Sequence, residues 1–513
     1  MGIVEEPCRG NGISKLRRQD ERAHARLALL VSLSGFVLAL FTFSACVGMH
    51  SLTTRTAPAP QVPWTPPPGS EKPVVTPPPA QIPPELLQSR QNWTLANLID
   101  IGLSNNMQTR AAWTAARSAA AALGSARSTY FPRVTVDVTG GRTKGTVAGG
   151  LFTFNYSSLN PAAGLSLLLF DFGGRSSGYE EARQALSAAN WTHNAVIQNV
   201  ILQIEESYYQ YLTAKALLKA QEASLKEAET NLDAANQRHR AGVATIADVL
   251  QAKTAASSTQ LAVVSTQGLI QTIVGGLANS IGLPANTIFE VADQLPESLP
   301  LEQVSGEVDH FIQEAEAMRP DLAAARSRAL RAEAHVRTVR SSGLPTLVAN
   351  GNIGRTYYSN RPKPSNTFGA SIVLDFPIFT GFSNNYQILQ AKVDAETAKA
   401  EMQQLVQDVT LQVWTSYYNV NTAAQRIKTS QDLFDSAQQS YEVALATYKE
   451  GVGDILGLLS AQSSLESGRV QLIQAKTDWL LALVQFARDT GTLGLSEKIP
   501  SAVPSAPAKK GDK

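Results

Sequence analysis

Cysteine is nearly absent from this 513-residue chain, which holds only Cys8 and Cys46. Two cysteines cannot make a disulfide framework or a cysteine-rich zinc site. Charge is scarce as well: charged residues are 17% of the sequence, and 44 Lys and Arg against 43 Asp and Glu leave a formal net charge of +1. Without a basic block there is no electrostatic footprint for nucleic acid, so no nucleic-acid partner is expected. Leu27–Phe43 is the sole long hydrophobic run, which excludes a polytopic bundle of membrane helices. The six histidines (His24, His50, His193, His239, His310, His335) are scattered, and no phosphate-binding loop, dinucleotide fingerprint or nucleophile elbow occurs. No enzyme, catalytic residue, metal site or cofactor is expected.

What is present begins with an address. Lys15, Arg17, Arg18, Arg22 and Arg26 precede the uncharged run 27–43, and Ser44-Ala45-Cys46 follows. A basic region, an apolar region and small residues before a cleavage point make an export signal over 1–45. A single membrane-spanning helix is the alternative, since about 17 apolar residues can just cross a bilayer. The triplet resembles the bacterial lipobox, with Phe43 where that motif usually has leucine, which implies lipidation of Cys46. Residue 47 is Val rather than an inner-membrane-retention Asp, which favours the outer membrane. Twelve of the 26 prolines lie in 58–84, so 46–90 reads as an extended tether between lipid and folded body.

The rest of the chain repeats itself. Val200–Ala214 and Val409–Ala423, 209 residues apart, share eight of fifteen positions, including Ser207-Tyr208-Tyr209 and Ser416-Tyr417-Tyr418. The same offset lays Gly242–Ile246 over Gly451–Ile455 and Phe170 over Phe379. Repeat 1 therefore covers 91–300, repeat 2 covers 301–494, and 495–513 is a flexible tail.

Each copy changes period in the same order. Leu95, Leu98, Ile99 and Leu103 recur at helical spacing, and an Ala-rich helical run continues to 127. Pro132 then breaks the pattern, and a hairpin is expected over 132–172, with strands at 133–139 and 162–172 around a Gly-rich loop, 140–160. In copy two the hairpin spans 345–379, with strands near 346–355 and 367–379. Phe368, Ala370, Ile372 and Leu374 alternate there with Gly369, Ser371, Val373 and Asp375, the pattern of a membrane strand or of a half-buried soluble one. Long helix pairs follow, over 174–282 and 383–490. The first arm, Gly174–Arg240, has no proline and would reach about 100 Å at 1.5 Å per residue. Leu261, Val264, Leu269, Ile273 and Leu277 make a narrow apolar seam beside Gln260 and Gln271, which suits a hollow cylinder. A structural coiled-coil protein of the cell envelope is the alternative.

Four strands cannot close a barrel, because the smallest natural membrane barrels have about eight and no strand edge can face lipid. Assembly of several copies is required, two or three on this argument alone.

The duplicated order, the Phe170-Asp171-Phe172-Gly173 element with its partner Phe379-Thr380-Gly381, and the Gly242 and Gly451 turns resemble the TolC-like outer-membrane efflux family. The resemblance covers about 91–494, and the lead segment resembles its lipoprotein branch. It implies an α+β membrane protein: a homotrimer forming a 12-stranded β-barrel, four strands per chain, continued by a periplasmic α-helical barrel. It further implies a passive exit duct of a tripartite efflux system, anchored in outer-membrane lipid and serving an inner-membrane pump through a periplasmic adaptor (membrane fusion) protein. The outer-membrane component of type I protein secretion is an alternative role. By the same resemblance the periplasmic aperture falls at Leu456, Gly457, Ser460 and Ser463, with Asp454 the nearest carboxylate. Tyr448 and Asp248 correspond to a hydrogen-bonded latch at the tip, against the plainer reading of both as solvated helix-end residues. Arg240, Gly242, Val243, Gly451 and Val452 would lie in the adaptor-contacting turns.

Overall fold

The computed structural model describes residues 57, 59–64 and 93–494, except 148, 150, 151, 288, 297, 298 and 300–305. The export signal, Cys46, most of the tether and the tail 495–513 lie outside the described residues.

The elements run α1 (Leu95–Asn105), α2 (Met107–Arg127), β1 (Arg133–Val147), β2 (Phe152–Phe170), α3 (Gly174–Arg240) and α4 (Ile246–Ser280). Then come α5 (Val308–Met318), α6 (Pro320–Ser341), β3 (Thr346–Tyr358), β4 (Ser365–Asp375), α7 (Ser383–Glu450) and α8 (Ile455–Asp489). The two halves match in order, and their helices match in length: 11 and 11 residues, 21 and 22, 67 and 68, 35 and 35.

The first helical stretch is broken where the sequence pattern ran on. Asn106 is extended and caps α2 by accepting from the Gln108 amide at 2.7 Å, while its side-chain amide donates to the Ser280 carbonyl at 3.1 Å. One short polar side chain thus starts a helix and ties it to the end of α4. The corresponding break is at Arg319, where Pro320 supplies a first-turn residue that needs no amide partner.

The strands form one antiparallel sheet in the order β1-β2-β3-β4. The expected loop at 140–160 is a correction: both strands continue through it, and only 148–151 intervene. Gly140, Gly141 and Gly145 are strand residues here. A Cβ at Gly145 would lie 2.5 Å from Phe154, so the aromatic ring covers the bare backbone of its cross-strand partner. In the second hairpin β4 stops at Asp375, short of 379, because Pro377 has no amide to give the ladder.

Both strand-to-helix junctions turn through two consecutive left-handed residues, Phe172 (φ +50°) with Gly173 (+89°), and Gly381 (+63°) with Phe382 (+65°). Each copy uses one Gly and one Phe, in opposite order. Phe172 sits edge-on to Phe170, and Phe382 to Phe379.

α3 packs against α2, α4, α6 and α8, and α7 against α5, α6 and α8. The main apolar core gathers Leu98 and Ile101 of α1, Ile204 and Tyr208 of α3, and Leu277 and Ile281 at the end of α4. The lead segment is partly seated rather than free. The Trp113 indole donates to the Ala57 carbonyl (2.6 Å), His193 to that of Pro60 (2.6 Å), and Asn194 brackets Trp64 through two hydrogen bonds.

Candidate functional site

The sheet has two chemically distinct faces. Val134, Val136, Val138, Leu165, Ile353, Phe368, Ile372 and Leu374 lie on one and are exposed, Phe368 to 89%. Thr135, Asp137, Gly164, Ser166, Asn350, Asn352 and Ser371 lie on the other. An apolar face bare of any covering element is unstable in water and is the surface that lipid requires. β1 and β4 are the outer strands, each with one edge unpaired among the described residues.

At the far end of the helices, each turn is built from a glycine and a cap. Gly242 (φ +76°) closes α3, with its amide on the His239 carbonyl at 2.9 Å. Thr245 then starts α4 in a capping box: the Asp248 carboxylate accepts from the Thr245 amide at 3.0 Å, and the Asp248 amide donates to the Thr245 hydroxyl at 3.3 Å. Gly451 (φ +84°) closes α7, and Asp454 caps α8 by accepting from the Gly457 amide at 2.6 Å. The charge of Asp454 is thus held at a helix N-terminus, where backbone amides favour it.

Leu456, Gly457, Ser460 and Ser463 are all exposed, on the face of α8 opposite buried Leu458, Ala461, Gln462 and Leu465. Arg240, Gly242, Val243, Gly451 and Val452 are exposed at the turns. The expected Tyr448–Asp248 hydrogen bond is not formed within the chain. Asp248 is occupied by its own helix cap, and the buried Tyr448 hydroxyl has no hydrogen-bond partner among the described residues. Burial raises that hydroxyl's pKa, the nearby Arg238 charge lowers it, and the Asp248 charge raises it further.

Arg238 holds the place instead. Its guanidinium lies 4.7 Å from the Tyr448 ring centre and donates to the Tyr448 carbonyl, which also accepts the Gly451 amide at 3.2 Å where α7 ends. Two further polar ties join α3 to the second helix pair. Asn231 donates to Gln462 (2.6 Å) and accepts from the Tyr441 hydroxyl (3.2 Å). Arg469 binds Glu227 through both guanidinium nitrogens (2.8 and 2.6 Å) and also reaches Ser224 (3.1 Å). Ser224, Asn231 and Arg238 are seven residues apart, as are Gln462 and Arg469, and Tyr441 and Tyr448. That heptad ladder depends on α3 packing beside α8, with Asn231 and Arg238 reaching Tyr441 and Tyr448 of α7. Their proximity is a tertiary fact.

Residues 98–283 and 311–492 match the sequence profile of the family described as outer membrane efflux protein. The chain is 27% identical over 410 residues to protein CyaE of Bordetella pertussis, across 78% of this chain and 85% of that protein. It is 24% identical over 369 residues to outer membrane protein TolC of Salmonella enteritidis, across 69% and 74%. Among solved structures, the outer membrane protein VceC of Vibrio cholerae superposes with a TM-score of 0.69 at 19% identity, covering 77% of this chain and 96% of that one.

Proposed function

The chain belongs to the outer membrane efflux protein family, and from that premise we propose that it is a passive exit duct through the outer membrane. The open four-stranded sheet carries this reading. One face is apolar and uncovered among the described residues, and two edges cannot be left facing lipid. Sibling chains supply the missing partners, in a homotrimer whose twelve strands close one barrel.

The same assembly accounts for the exposed apolar residues of the helices. Leu250, Leu261, Val264 and Leu269 on α4, and Leu411, Trp414 and Tyr418 on α7, are bare in the single chain. Neighbouring copies cover them as the helices close into a tube. A rod-like coiled coil has no use for the sheet. The duct carries no energy source, so an inner-membrane pump drives export and a periplasmic adaptor bridges the two through the turns at Arg240–Val243 and Gly451–Val452. Lipid on Cys46 anchors the lead segment.

The aperture is lined by Leu456, Gly457, Ser460 and Ser463 without a ring of carboxylates, since Asp454 is engaged as a cap. The resting state is held by Arg238 on Tyr448, in place of a Tyr448–Asp248 bond. In planar lipid bilayers the wild type is expected to show low resting conductance, and Arg238→Ala to raise it severalfold. Tyr448→Phe should leave it unchanged, because the hydroxyl has no partner to lose. Electrical silence of all three proteins would refute the duct. Conducting proteins in which Tyr448→Phe opens the channel and Arg238→Ala does not would refute this latch alone.

A further inference from the structure

The charges at the outer end of the sheet are on the unexpected face. β1 and β3 begin at Arg133 and Thr346, at the end that leads from the helices; in the duct proposed above, on which this inference rests, their later residues lie at the cell exterior. Between residues 138 and 170, and again between 346 and 374, there is no Asp or Glu, while Arg142, Lys144, Arg355, Arg361 and Lys363 all occur there. Register decides where they lie. Arg142 pairs with Ser157, Lys144 with Asn155 and Arg355 with Asn366, all in the alternation phase of Val134, Val136, Val138 and Ile353. These three cations therefore project outward, as the apolar face does. The lumenal phase at the same level (Thr139, Thr143, Ser158, Thr356 and Thr367 among it) carries no charge at all.

A lipid-facing arginine is costly at mid-bilayer and nearly free at the interface. Arg142 and Arg355 each lie nine residues into their strands. At about 3.3 Å per residue and about 40° of tilt, that is roughly 23 Å along the membrane normal, the upper edge of an apolar band about 25 Å tall. Lys144 is higher still. Arg355 rests 5.6 Å from the ring centre of Tyr357, on the outward face, whereas Arg361 of the adjoining turn rests 5.6 Å from that of Tyr358, which pairs with lumenal Ser158, and lies outside the outward set. Arg142, Lys144 and Arg355 are all exposed. Closing the barrel pairs the edges of β1 and β4 and leaves these faces open.

We propose that this collar binds the phosphate groups of the outer-leaflet glycolipid, lipid A, around the rim of the assembled barrel. The interior is freed of charge there, so a role in drawing anionic cargo through the pore does not account for the placement. Guanidinium groups suit phosphate, and Asn155, Ser157, Asn366 and Tyr357 on the same face offer hydrogen bonds to the sugar. Charge complementarity selects a phosphorylated lipid, and the exterior position selects the glycolipid over the phospholipids of the inner leaflet.

The test uses the full chain in detergent, titrated with bisphosphorylated lipid A, dephosphorylated lipid A and phosphatidylglycerol, with bound lipid read by native mass spectrometry. Wild type is expected to bind bisphosphorylated lipid A at least tenfold more tightly than either of the others. The variant Arg142→Gln/Lys144→Gln/Arg355→Gln should lose that preference while keeping its oligomeric mass and its conductance. Arg142→Lys/Arg355→Lys, which keeps the charge, should bind within about threefold of wild type and guards against misfolding as the cause. Equal binding of phosphatidylglycerol, or equal binding by the triple variant, would overturn the proposal. Because mass and conductance are followed in the same samples, failure of the collar is distinguishable from failure of the duct.

Discussion

At the residue scale, the informative side chains are polar groups placed where solvent is scarce. Glu205 on α3 is 9% exposed, and burial pushes its carboxyl up to about 7 from an ordinary 4.5. Between those values the folded chain holds a proton that the unfolded chain has lost, so stability falls as pH rises from about 4.5 to 7. Acidification from pH 8 to pH 5 is expected to stabilise the folded chain by up to about 3 kcal/mol through this group. Glu205→Gln should melt higher than wild type at pH 8 and lose most of the difference at pH 5. Thermal denaturation at the two pH values checks this, and an unchanged pH dependence in the variant would reject the assignment. Glu205 was invisible in the sequence because a glutamate in a helix reads as solvated until its neighbours are known. Leu456, Ser460 and Ser463, which the resemblance alone proposes for an aperture, are exposed on α8. Arg238 was not legible in the sequence, since nothing local marks an arginine whose partner is the carbonyl of Tyr448, 210 residues on.

At the element scale, the long helices were read nearly to the residue, because absence of proline and a terminal glycine are local signals. Gly451 at φ +84° illustrates the physics. A side chain there must adopt a left-handed backbone, costing about 1–2 kcal/mol. Gly124, inside α2 with open space around it, has the opposite expectation: Ala should stabilise by about 0.5–1 kcal/mol. Gly451→Ala should therefore lower the melting temperature and Gly124→Ala raise it. Equal shifts in one direction would contradict the roles given to these two turns of chain. The hairpins were less legible. Glycines at 140, 141 and 145 signal a loop by composition, yet cross-strand Leu159 and Phe154 cover two of them and the ladder continues. The break at Asn106 was missed for a similar reason, because its decisive bond reaches Ser280, 174 residues away.

At the scale of the whole molecule, sequence periodicity already implied that one chain is incomplete. Alternation over about ten residues asks for lipid on one face, and four strands are too few to close. The structure gives that incompleteness a form: among the described residues, one open sheet with its apolar face uncovered and both outer edges unpaired. Stoichiometry was not legible, since eight strands from two chains satisfy the backbone as well as twelve from three. The most direct test is the mass of the purified full-length protein in lipid nanodiscs, measured by light scattering or native mass spectrometry. Three chains per particle is the predicted result. A folded, membrane-inserted single chain would contradict the account at its root.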